Sequence, residues 1–199
     1  MDRYHIALFI HILAVMAAAS ATAVTKLAAG RRARARTVGE VLEWHNVLAS
    51  ASKAFPICLA AFVITGFYML IAGHIAVWSN GFVIAGLAGV VSLFASGTFL
   101  GIKGNALKTA LEQIASKGAD LPAPKLVPPQ MVVALPLINT GIALAVVFDM
   151  VTKPASIPAA LGVLVVGAAL GAAKGMRHPA IAAKPNVQPV QRTLVEQAR

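Results

Sequence analysis

The residues able to do chemistry are few and stand inside or beside apolar runs. "HIALFIHILAVMAAA", residues 5–19, carries His5 at one end and His11 well inside. Met69 and His74 follow a second apolar run, and Asp149 and Met150 close another. Imidazole, thioether and carboxylate groups are copper ligands, and an imidazole can hold haem iron. The residue types therefore nominate His5 and His11 as metal ligands, and His11, His74 and Met69 as cofactor-binding residues. His5 and His11 are six residues apart, about 600° of helical rotation or 240° net. They do not share a helix face, so a second ligand beside His11 has to come from another helix. The chain has no Walker A run, nucleophile elbow or HExxH. Its one cysteine, Cys58, excludes an intrachain disulfide and any Cys-rich zinc or iron–sulfur site.

The elements that must position these residues follow from composition. The 199 residues are 58% hydrophobic and only 12% charged, where a soluble domain carries about a quarter charged residues. With a mean hydropathy of +0.78, lipid is the expected solvent. The net charge of +10 does not indicate nucleic acid, because the basic residues sit between apolar blocks and form no single polar face. Five stretches free of Asp, Glu, Lys and Arg approach the roughly 20 residues that a bilayer requires: residues 6–24, 54–73, 81–102, 131–148 and 157–173. They lack strand alternation. The expected fold is an all-α polytopic bundle of five transmembrane helices occupying residues 1–176, with spans near 4–26, 53–74, 80–102, 129–151 and 155–175. Residues 177–199 form a polar tail.

Basic residues cluster after the first span, after the third and in the tail. Of the 17 Lys and Arg, only Arg3 and Lys153 fall elsewhere. The positive-inside rule then predicts an N terminus outside and a C terminus in the cytoplasm. The strong positive charge follows the first apolar run, which predicts an uncleaved anchor and not a secretory signal.

Between the spans, Thr37-Val38-Gly39-Glu40 is a capping box that opens an amphipathic helix, with Pro56 as a kink or break near the membrane surface. A separate surface helix is predicted over 105–116, with Asn105 as N-cap and Gly118 as stop. "LPAPKLVPP" reads as a stiff linker. Small residues recur every fourth position at Gly81, Ala85 and Gly89, continuing at Gly97 and Gly101, and again at Gly167, Gly171 and Gly175. Such rows hold a bundle together or form a partner interface.

On this map His5 and His74 lie near the outer surface, while His45 and His178 are solvated on the cytoplasmic side. His11 lies about 8 Å beyond the first apolar residue. Its imidazole is either hydrogen-bonded inside the bundle or serves as a ligand or proton carrier. Asp149 reads as an interfacial residue near Lys153, and Asn139 and Thr140 as helix–helix hydrogen-bonding residues.

In order along residues 4–154, "FIHILAV", "RRARAR", "AFP", "TGFYML" and "DMVTKP" resemble the pattern of a bacterial family of integral membrane proteins of unknown function, similar in style to the copper-resistance D group. Distant groups of that architecture bind haem b through a first-helix histidine, among them a protoporphyrinogen oxidase. The resemblance implies His11 as the ligand. Two departures separate this chain from the oxidase. Ala17-Ala18-Ala19 replaces the aromatic-Gly step after the histidine, and residues 81–102 lack the third-helix lysine. The expected function is therefore a membrane protein that holds haem b or copper through His11. The alternatives are a non-enzymatic subunit or assembly factor of a membrane complex, and a small transporter. The expected partners are the lipid bilayer and a homo-oligomer or membrane-complex partner, not nucleic acid.

Overall fold

The computed structural model describes residues 2–123 and 130–177. Six helices follow in order: α1 (Arg3–Arg32), α2 (Val38–Ser52), α3 (Ala54–Ala72), α4 (Gly81–Ala115), α5 (Gln130–Thr152) and α6 (Ile157–Arg177). No strand occurs among the described residues; an isolated bridge joins Thr37 to Pro122. Five helical stretches are long and apolar enough to cross a membrane, so this is a multi-pass membrane protein. Side chains such as Phe9, Ile57, Ile71, Val151 and Leu170 are exposed on the helix exteriors, where lipid stabilises them as well as a protein core would.

The helices form two packed units. In the first, α1 runs antiparallel to α2 and α3, placing Ala7, His11 and Ala14 against α3 and Ala28 and Arg32 against α2. In the second, α4, α5 and α6 pack on one another. Backbone contact between α5 and α6 requires glycine. A side chain on Gly141, Gly167 or Gly171 would strike the facing backbone, and one on Gly175 would meet Ala134. Gly89 receives Val146, Leu164 and Ile142, and Gly81 abuts Ser156. Gly97 and Gly101 depart from the predicted row, because nothing among the described residues lies within 4 Å of the space their side chains would fill.

The units join at one end. Helix α2 packs on α4. Val38 and Gly39 N–H donate to the carbonyls of Leu121 and Ala119, and Ala123 N–H donates to Arg36. Alternating helix directions gather Lys26, Arg31, Arg32, Lys53, Lys103 and Lys174 toward this basic end, leaving Arg3 and Lys153 at the other.

The capping box forms as read. Thr37 Oγ1 accepts from Glu40 N–H, and Glu40 reaches back to Arg36 N–H at 2.7 Å. The break at Lys53 comes three residues before Pro56. Proline has no N–H for the carbonyl of Ser52 and crowds it. The expected separate helix over 105–116 is not separate: α4 runs unbroken through Asn105 to Ala115. Burial of Leu111 beside α2 carries the helix past a residue that would otherwise cap. It stops before Gly118, whose φ is +151°. The stiff-linker reading falls largely on residues 124–129, and the tail reading, with His178, on 178–199; both lie outside the described residues.

Candidate functional site

His11 sits on the α3-facing side of α1 and is 9% exposed. Its Nδ1 lies 2.9 Å from Thr65 Oγ1. The Thr65 hydroxyl has one proton, which it donates to the Ala61 carbonyl one turn back at 2.6 Å. Thr65 therefore accepts from His11, and Nδ1 carries the ring proton. Phe62 stacks on the imidazole, with centroids 4.2 Å apart and planes 29° from parallel. Gly66 faces the ring edge, where the first carbon of a side chain would sit in ordinary contact with His11 Cε1, at 3.5 Å. Ring position and tautomer are thus set from within two turns of α3, by Ala61, Phe62 and Thr65. Nε2 is left as the lone-pair nitrogen. Metal-binding histidines are commonly held in this way through the nitrogen that does not bind metal.

The other nominated ligands are not gathered around His11. His5 is largely exposed at the start of α1, 4.0 Å from Asp2. His74 is exposed just beyond α3, in a left-handed conformation with φ of 51°. Met69 is one turn past Thr65 on α3, toward that same end. No group of three or more His, Cys, Asp or Glu side chains able to hold a metal occurs among the described residues.

Two polar residues sit differently from the sequence reading. His45 is 2% exposed, not solvated. Its Nδ1 accepts from Arg32 Nη1 at 2.9 Å. Val38, Val41 and His45 form one buried face of α2, an i, i+3, i+7 pattern visible in the sequence. Burial, then the Arg32 charge, holds the His45 pKa below the ordinary imidazole range, against a raising contribution from a Gly104 backbone hydrogen bond.

Asp149 stands at the Lys153 end of α5 but faces protein. It is fully buried, and neither carboxyl oxygen has a hydrogen-bond partner among the described residues. Ile142, Val146 and Asp149 share a face of α5, so helical spacing again carried the signal. Lys153 bonds to the Asp149 backbone, through its N–H to the carbonyl at 2.8 Å. An unpartnered buried polar group costs about 1–3 kcal/mol. Asp149→Ala is thus expected to raise thermal stability by about 1 kcal/mol or more. A fall in the unfolding temperature would show that something beyond the chain satisfies the carboxyl. Of the fourth-span pair, Asn139 accepts from Ser96 across α4 and α5 at 2.8 Å, whereas Thr140 bonds within its own helix to Pro136.

The chain matches no protein-family model, no curated protein and no solved structure.

Proposed function

We propose that this is a bacterial plasma-membrane protein, oriented with its N terminus outside, that binds haem b through His11. The observation supporting the reading is the Ala61–Thr65–His11 hydrogen-bond chain, which orders the imidazole and leaves Nε2 as the donor. The donor set suits haem, whose macrocycle supplies four nitrogens and asks the protein for one or two axial ligands. Copper would need further protein ligands beside His11, and no group of three His, Cys, Asp or Glu side chains gathers there among the described residues. His11 would hold the iron, and bound haem would supply one-electron redox chemistry. Thr65 and Phe62 keep the imidazole from turning. The orientation rests on the basic end facing the cytoplasm.

Protein expressed with haem available and purified in detergent is expected to show a Soret band. His11→Ala should abolish it. Thr65→Val, which keeps shape but removes the Nδ1 acceptor, should weaken haem retention about 10- to 100-fold. Colourless wild-type protein, or a band indifferent to His11→Ala, would refute the assignment.

A second reading is a non-enzymatic subunit of a membrane complex. It is favoured by Gly97 and Gly101, whose faces are unpacked although the other glycine rows are filled. A stable larger complex co-purifying with both wild type and His11→Ala would select it.

A further inference from the structure

We propose that the cleft between α3 and α4 binds one anionic phospholipid, with an acyl chain between the helices and its phosphate on Lys53. The proposal is independent of haem binding. Helix α2 packs on α4, but beyond Lys53 the chain continues as α3 and packs on α1 instead. The two helices therefore part above their contact at the basic end. The space between them is a cavity of about 370 Å³ lined by Pro56, Leu59, Ala60 and Val63 of α3 and Val90, Val91 and Phe94 of α4.

Three observations select the occupant. First, every lining side chain is apolar, and the residues lie within the membrane-crossing stretches, so water gains no hydrogen bonds there. Second, the space is small: about 370 Å³ is well short of a helix about 10–12 Å across with its side chains, and it suits an alkyl chain. Third, the end of the cleft near Pro56 lies one helical turn from Lys53, on the basic side. Lys53 is exposed and has no carboxylate partner among the described residues. A cationic side chain at the end of an apolar slot matches an anionic headgroup joined to its chain.

Electron spin resonance of spin-labelled lipids tests this on the whole protein in phosphatidylcholine vesicles. Labelled phosphatidylglycerol should show an immobilised population in preference to labelled phosphatidylcholine. Lys53→Gln should reduce that preference about fivefold, the effect of one basic residue near an anionic headgroup. Ala60→Phe, which fills the slot from an exposed position, should remove the immobilised population for both lipids; circular dichroism verifies that each variant folds. Equal immobilisation of the two lipids by wild type, or a preference that survives Lys53→Gln, would overturn the headgroup assignment. An immobilised population that survives Ala60→Phe would overturn the cleft. A wild-type dimer that Ala60→Phe converts to monomer would assign the cleft to a second copy and overturn the lipid proposal.

Discussion

Gly171→Val is expected to unfold the α4–α5–α6 unit in detergent, with a loss of at least about 3 kcal/mol. The first carbon of any side chain there would lie 2.7 Å from Ile138 Cα and 2.8 Å from the Leu137 carbonyl carbon. Both belong to backbone, so no rotamer change relieves the clash. Separating α5 from α6 would also undo the neighbouring contacts at Gly141, Gly167 and Gly175. In lipid no hydrophobic force restores them, because tails are as apolar as the side chains they replace. Gly97→Ala is the matched control. It lies in a row of the same spacing but meets nothing within 4 Å among the described residues, and should leave stability unchanged or raise it by up to about 1 kcal/mol. Thermal unfolding followed by circular dichroism distinguishes the two.

That contrast shows how far the sequence can be read. Spacing by four residues marked Gly167, Gly171 and Gly175 as a contact face, which α5 fills, but could not separate Gly89, which receives Val146, from Gly97, which receives nothing among the described residues. Periodicity states which residues share a face; it does not say what the face meets. The spans were legible because bilayer thickness imposes length and composition directly. The capping box was legible because its hydrogen bonds are local. Asn105 misled because capping preference is worth about 1 kcal/mol, less than the burial of Leu111 and its neighbours against α2 can supply. His45 and Asp149 were misplaced although their burial was periodic with apolar neighbours; polarity was weighted above spacing. His11 was identified as a buried imidazole. Its partners could not be, since Thr65 lies 54 residues away and only the α1–α3 register brings the two together.

The second large effect is expected at His45. Its ring is neutral in the fold, accepting from Arg32, with the Arg32 and Lys108 charges disfavouring protonation and Glu112 favouring it. The unfolded chain has an ordinary imidazole, titrating near 6.5. Below that pH the unfolded state binds more protons than the folded state, so stability is full above about pH 6.5 and declines as the solution is acidified. His45 lies in α2, which joins the two packed units, so the decline should first loosen the α2–α4 contact. His45→Ala leaves Arg32 without its buried acceptor and opens a cavity, and should cost about 2–4 kcal/mol at pH 7.5. His45→Gln can still accept from Arg32 but cannot titrate. It should retain most of the stability and reduce the fall in unfolding temperature between pH 7.5 and 5.5. An acid-induced loss equal to that of wild type would place the effect elsewhere.

The proposed function requires that α3 present His11 with Nδ1 protonated and Nε2 bare. Nitrogen-15 NMR of histidine-labelled protein in detergent without haem, with His11 assigned by comparison with His11→Ala, reads this directly. The account predicts a neutral His11 ring with its proton on Nδ1, and loss of that single tautomer in Thr65→Val. A His11 ring protonated on Nε2, or one unaffected by Thr65→Val, would contradict it.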